Sequence, residues 1–155
     1  GGVRALYIIG QDPLAPPAGP APEIAAGLAG LDFLVVQDAF LTETAKLADV
    51  VLPGVTFAER DGTYTNLERR VQRLQPGVRP PGSARVDWAI VRDVANALGG
   101  SFDYAAPQEV MAELAVATPI YHGMTYSRIG DKGLTWPRPS VRAASAPVAA
   151  ESTSV

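Results

Sequence analysis

Apolar residues fall along this chain in short blocks separated by turn formers, and the blocks follow two different periods. Ala5-Leu6-Tyr7-Ile8-Ile9 is a continuous apolar run that stops at Gly10-Gln11-Asp12-Pro13. A run this short, rich in β-branched and aromatic residues, predicts a buried strand followed by a turn. Phe33-Leu34-Val35-Val36 predicts a second strand ending at Gln37-Asp38, and Val50-Val51-Leu52 a third, closed by Pro53. Between the first two, Pro13, Pro16, Pro17, Pro20 and Pro22 forbid regular structure up to Glu23, after which Ile24, Ala25, Leu28 and Leu31 mark a short helical face. Between the second and third lies a short helix over 42–48, with Thr42 at its N-cap. Strands separated by helical stretches, with no hairpin turn between them, predict an α/β fold: a Rossmann-like parallel sheet with flanking helices.

Beyond Pro53 the period changes. Asp61-Gly62 is a turn signal, and Thr63, Thr65, Leu67, Arg69 and Val71 alternate with their neighbours, which predicts an irregular strand or hairpin. Val86, Ile90, Val94 and Leu98 recur at helical spacing before Gly99-Gly100, so a helix over 86–98 is expected to pack on the sheet. Pro107 opens a further helix, with Val110, Met111 and Leu114 inward, that ends near Thr118-Pro119. After Trp136-Pro137 the sequence turns to Pro, Ala, Ser and Val with almost no large apolar residues. The expected organisation is a Rossmann-like α/β segment over 1–100, a helical extension over 101–137 and a flexible linker or tail over 138–155. The chain opens on Gly1-Gly2 and enters an apolar run at once, so it reads as a fragment of a larger multidomain subunit. A small open sheet leaves unpaired edges, which predicts marginal stability.

With 155 residues, 47% of them hydrophobic, the chain suits one soluble domain with a core. Its net charge of −3 gives no general reason to expect nucleic acid or an anionic membrane, and no stretch is long and apolar enough for direct membrane insertion. The absence of Cys rules out disulfides, thiolate zinc sites and cysteine-ligated iron–sulfur clusters in this piece, and the single His122, read as a loop or surface residue, leaves no histidine relay. No catalytic constellation is visible, so the chain alone is not expected to turn over.

Binding chemistry gathers where ligands bind in open α/β sheets, beyond the carboxyl ends of the strands. Gly10, Gln11 and Asp12 bring an unobstructed backbone, an amide and a carboxylate, or form an ordinary turn. Gln37 and Asp38 end the second strand, where a carboxylate can accept two hydrogen bonds from a ribose diol or a guanine edge. Thr42 and Thr44 either bind phosphate at a helix start or simply cap it. Asp49 reads as a structural turn carboxylate, and Glu59 with Asp61 as solvated charges. Trp88 and Trp136 read as packing residues. Arg60, Arg69, Arg70, Arg73, Arg79 and Arg85 put six of the thirteen basic residues in about a sixth of the chain. That cluster suits a pyrophosphate or acidic groups on a neighbouring domain; with few aromatics interleaved, single-stranded nucleic acid ranks last.

The order of these motifs carries a resemblance. Leu31-Asp32-Phe33-Leu34-Val35-Val36-Gln37-Asp38, Leu41-Thr42-Glu43-Thr44-Ala45, Ala48-Asp49-Val50-Val51-Leu52-Pro53, Phe57-Ala58-Glu59 and Asp61-Gly62-Thr63-Tyr64-Thr65-Asn66-Leu67-Glu68-Arg69-Arg70-Val71-Gln72 follow one another. Together they resemble the third domain of molybdopterin oxidoreductases, a family that includes formate dehydrogenase catalytic subunits and the large iron–sulfur subunit of bacterial complex I, the NADH-quinone oxidoreductase. The likeness runs from about Val3 to Pro137. It implies a domain that binds one guanosine arm of a molybdopterin guanine dinucleotide cofactor. Gly10, Gln11, Asp12 and Pro13 would match the strand-end loop, Gln37 and Asp38 the nucleoside-contacting edge, and Thr42 and Thr44 the helix start. Thr65, Asn66 and the Arg pair would match the segment beneath the cofactor. It also implies iron–sulfur clusters only in other parts of the parent. The implied partners are other domains of that subunit and other subunits of an oxidoreductase complex, in the cytoplasm or peripheral to the inner membrane. Glu68-Arg69-Arg70 looks more like formate dehydrogenases, whereas Arg138 and the Pro/Ala/Ser stretch after Leu134-Thr135-Trp136-Pro137 look more like complex I subunits, in which the domain persists in a structural role. The balance leans to complex I, with formate dehydrogenase as the alternative.

Overall fold

The structure, a computed structural model, describes residues 2–15 and 22–136. The expected linker over 138–155 and Pro16, Pro17 and Pro20 lie outside the described residues. Strands β1 (Ala5–Ile9), β2 (Phe33–Asp38) and β3 (Val50–Pro53) form a parallel sheet in the order β1-β2-β3. Ile8 sits beside Val36 and Val36 beside Val51, so apolar residues of equal parity line the same face. On that face Ile8, Leu34 and Val36 pack with Leu28 of α1 (Pro22–Ala29), with Leu14 and with Ala45. The opposite face is only half covered: Ile9, Phe33 and Val50 keep 42%, 46% and 37% of their surface exposed. This is unusual for a parallel sheet, whose two faces are ordinarily both packed.

The β2–β3 connection holds less helix than expected over 42–48. A single 3₁₀ turn, Ala45–Leu47, is all that forms. The Thr42 hydroxyl accepts the Ala45 N–H at 3.1 Å, and the Asp49 carboxylate accepts the Leu34 N–H at 2.7 Å while the Asp49 N–H reaches the Leu34 carbonyl at 2.9 Å. Those bonds draw the chain back to the sheet before a second turn can start, and they give Asp49 the structural role expected of it.

The anticipated strand or hairpin is a hairpin, β4 (Gly62–Thr65) with β5 (Arg70–Leu74). A short β6 (Leu134–Thr135) joins β5 antiparallel, a strand the sequence did not show within the expected helical extension. Two residues are too few to leave a period-2 pattern. Gly133 makes the join possible: its φ is +71°, and a Cβ there would lie 2.6 Å from the Val71 carbonyl oxygen. Helices α3 (Pro107–Ala117) and α4 (Tyr126–Ile129) close this sheet over a second core of Val71, Met111, Met124 and Ile129. Helix α2 (Asp87–Ala97) follows the hairpin, with Ala89 and Ile90 buried. It engages the parallel sheet at its first turn, through Asp87, and leaves Leu98 just past its end 85% exposed. Among the described residues no helix is long and apolar enough to cross a membrane.

Because Leu34 is 2% exposed in the first core, Leu34→Ala should cost about 3 kcal/mol in denaturant unfolding, the usual range for a buried leucine. The wild-type chain should melt at a low midpoint; a high, cooperative midpoint would refute the expectation of marginal stability.

Candidate functional site

Three strand ends meet at the carboxyl edge of the parallel sheet. Gly10 ends β1 at φ +60°, its N–H donating to the Gln37 carbonyl at 2.8 Å, and a Cβ there would meet nothing within 4 Å. Gln11 is exposed beside it. Asp12 turns inward: its Oδ1 accepts the Thr44 hydroxyl at 2.5 Å, the Thr44 N–H at 3.1 Å and the Leu14 N–H at 3.3 Å. The first loop is therefore stapled to the β2–β3 connection. The Thr44 hydroxyl, and after it the backbone N–H groups, hold the Asp12 carboxyl below the usual carboxylate range, with desolvation opposing them. Thr44 is fully buried. Thr42, with its hydroxyl on the Ala45 N–H, follows the capping alternative.

Gln37 and Asp38 are neighbours in sequence and diverge in space, as strand alternation requires. The Gln37 side chain is fully buried. Its Nε2 donates to Asp87 Oδ1 at 2.9 Å and to the Asp87 carbonyl at 3.3 Å, and its Oε1 accepts the Tyr7 hydroxyl. Burial, then the charge of Asp87, pushes the Tyr7 hydroxyl above its ordinary pKa. Asp87 Oδ2 takes Arg60 Nη1 at 3.0 Å. Gly54 closes the arrangement: its N–H donates to the Asp38 carbonyl at 3.0 Å, and a Cβ would stand 2.8 Å from Asp87 Oδ1. Asp38 itself is half-buried, and its Oδ1 accepts the Phe40 N–H at 2.9 Å. The other carboxylate oxygen has no protein donor among the described residues. Just past Asp38 a crevice of about 300 Å³ opens beyond β2 and β3, lined by Ala39, Phe40, Pro53, Gly54, Glu59 and Ser83 among others.

Asn66 stands apart from these residues. It closes the β4–β5 hairpin, its Oδ1 accepting the N–H groups of Glu68 at 2.9 Å and Arg70 at 3.0 Å, with Arg69 at φ +62°. Among the described residues no hydrogen bond joins it to the strand ends. The arginine cluster is also dispersed. Arg60 pairs with Asp87 and Arg85 with Asp93, while Arg69 lies over Trp136 and Arg73 over Tyr126. Glu59, expected to be solvated, instead caps a turn by accepting the Thr56 N–H at 2.8 Å and hydroxyl at 2.9 Å. Asp61 departs from the same expectation, since its Oδ1 is enclosed. His122 is exposed, as anticipated. Sequence reasoning missed Asp87 and Tyr7 as partners of Gln37. The available signal was an amide at the end of an apolar strand, which needs a buried partner. No group of three or more metal-ligating side chains occurs among the described residues.

An open parallel α/β sheet with a crevice at its carboxyl edge has the arrangement in which folds of this class bind their ligands. Residues 1–97 match the molybdopterin oxidoreductase family, and the chain belongs to that family. It is 47% identical over 137 residues to the F420-dependent formate dehydrogenase subunit alpha of Methanocaldococcus jannaschii, covering 87% of this chain and 20% of that protein. The F420-dependent formate dehydrogenase 1 subunit alpha of Methanococcus maripaludis is 44% identical over the same share of each. Among solved structures, acetylene hydratase from Pelobacter acetylenicus superposes with a TM-score of 0.60 at 26% identity, over 81% of this chain and 17% of that one. The chain thus spans about a fifth of the curated relatives it matches. These relatives favour the formate dehydrogenase alternative over complex I, reversing the order read from the sequence. Of the two features behind the complex I reading, Arg138 and the Pro/Ala/Ser stretch, both lie outside the described residues.

Thr44→Val removes the strongest hydrogen bond to Asp12, so the Asp12 pKa should rise toward the ordinary value near about 4 in a carboxyl NMR titration. A depressed carboxyl stabilises the fold above its unfolded pKa, and that stability is lost as pH falls through the folded pKa. Acid unfolding of the variant should accordingly begin at a higher pH than in the wild type.

Proposed function

We propose that this chain is the segment of a formate dehydrogenase alpha subunit that holds the guanosine arm of a molybdopterin guanine dinucleotide. The observation that carries the reading is the strand end at Asp38, whose carboxylate has one oxygen without a protein donor among the described residues and whose next two residues, Ala39 and Phe40, line a crevice beyond the strand ends. A guanine edge presents adjacent N–H donors and a ribose presents a diol, and either satisfies such an oxygen. The crevice volume falls at the small end of ligand pockets, a size that suits one nucleoside rather than a whole dinucleotide. The residues therefore fit that part of the cofactor.

On this reading the roles divide. Gly10 lets a pyrophosphate approach the backbone, and Gln11 is free to reach it from the same loop. Asp38 holds the nucleoside. Asp12 with Thr44, and Gln37 with Asp87, act from beneath by fixing the loops. Thr42 shapes the turn beside them, and Asn66 acts through the hairpin it closes. When bound, the cofactor supplies metal-centred redox chemistry; the residues of this chain bind and orient its nucleotide arm. Iron–sulfur clusters, the remaining domains and partner subunits of a cytoplasmic or membrane-peripheral complex would belong to the rest of the parent. The similarity to formate dehydrogenase alpha subunits supports this assignment.

Titration calorimetry of the chain with GDP tests it. Saturable binding is expected, weakened about tenfold or more by Asp38→Asn, as the loss of a charge-assisted hydrogen bond implies. The Asn retains an acceptor for the Phe40 N–H, so the turn should survive. Absence of binding to a demonstrably folded chain would return the domain to a structural role.

A further inference from the structure

A second cavity, of about 270 Å³, lies between the first turn of α2 and the face of α3. Its walls include Trp88, Val110, Met111 and Leu114, with Asp61 and Tyr126 among its polar lining. Two other charged side chains reach it, Arg60 and Asp87, and these neutralise each other at 3.0 Å. Asp61 differs. Among the described residues its carboxylate makes no ion pair and no hydrogen bond, and its Oδ1 is enclosed with no partner. The Tyr126 hydroxyl is likewise enclosed without a partner. Arg73 lies over the Tyr126 ring, 4.7 Å from its centroid, and is not part of the cavity wall.

We propose that this cavity is a binding site for an alkylammonium group, a protonated primary amine on a short aliphatic stem. One unmatched negative charge inside largely apolar walls selects a ligand with the converse plan: a single positive head and a hydrocarbon body. An anion would meet Asp61 unfavourably, and a neutral alkyl chain would leave the carboxylate unpaired. Tyr126 complements the head group. Burial first, and then the charge of Asp61, pushes its hydroxyl up to about 12, so at neutral pH it stays protonated and offers an oxygen lone pair to an ammonium N–H. The same chemistry is presented by a free amine and by a lysine side chain on another polypeptide segment. The proposal does not rest on the nucleotide reading: the two cavities have no lining residue in common, although Asp87, which lines this one, also bonds Gln37 beneath the strand ends.

Amide NMR titration of the full chain with n-butylammonium chloride tests this, with n-butanol and sodium butyrate as controls at matched ionic strength. Saturable shifts are expected at Asp61, Gly62, Thr63, Met111 and Leu114 with butylammonium, and about tenfold weaker binding in Asp61→Asn. Leu114→Trp, which fills the cavity from its exposed rim while leaving the carboxylate in place, should also abolish the shifts and guards against misfolding of the Asp61 variant. N-acetyl-lysine methylamide separates the sources: tighter binding than butylammonium identifies a lysine within a chain, weaker binding a free amine. Equal binding of butanol or butyrate, or no saturable shift with butylammonium, would overturn the proposal.

Discussion

The side-chain amide of Gln37 sets the terms for the rest of this fold. It stands on the central strand of a parallel sheet, where it is fully buried, so its donor and acceptor must be met from within the protein. Tyr7 on the neighbouring strand supplies one bond and Asp87 the others. Meeting that need brings the first turn of α2 against the sheet, and the charge so introduced recruits Arg60. It also dictates glycine at position 54, because Asp87 and the Asp38 backbone crowd the space that a Cβ would take. One polar residue thereby ties together β1, β2, the end of β3 and α2, and fixes the edge at which the crevice opens.

The two sheets solve different problems. The parallel sheet packs the middle of one face and leaves much of the other open, so its integrity rests on a small core and on polar staples at its ends. Asp49 performs this at the amino end of β2, and Asp12 with Thr44 at the carboxyl end. The antiparallel sheet is closed by helices from a distant part of the sequence, with Val71 of the hairpin against Met111, Met124 and Ile129. Its hairpin begins soon after Arg60, so the Arg60–Asp87 pair sits where one sheet hands over to the other.

What could be read from the sequence follows from the range of each interaction. Strands β1 to β3 announced themselves as apolar blocks, and α2 and α3 by helical spacing with Gly99-Gly100 and Pro107 as stop and start, because those signals are local. The parallel pairing followed from the absence of hairpin turns. Strand β6 did not, since two residues carry no period and their place depends on Gly133 passing beneath Val71. The loops of the site were legible from their position at strand ends. Their internal wiring was not: nothing near Gln37 in the sequence points to Asp87, and nothing near Asp12 points to Thr44, 32 residues away. Glu59 is an exception that sequence alone could have resolved, for Thr56 and Glu59 have the spacing of a capping box.

Four carboxylates near the centre of the molecule show how environment sorts one chemical group into different tasks. Asp12 spends itself on Thr44 and on loop N–H groups, and Asp87 on Gln37 and Arg60; both are scaffold. Asp38 gives one oxygen to its own turn and, among the described residues, leaves the other without a protein donor. Asp61 keeps both unmatched, among the described residues, beside a cavity with apolar walls. Enclosing Asp61 Oδ1 without a partner costs free energy, and a ligand that brings an N–H donor would offset that cost. By that criterion the second cavity is set apart from the scaffold carboxylates by the bond that Asp61 lacks, rather than by residue type.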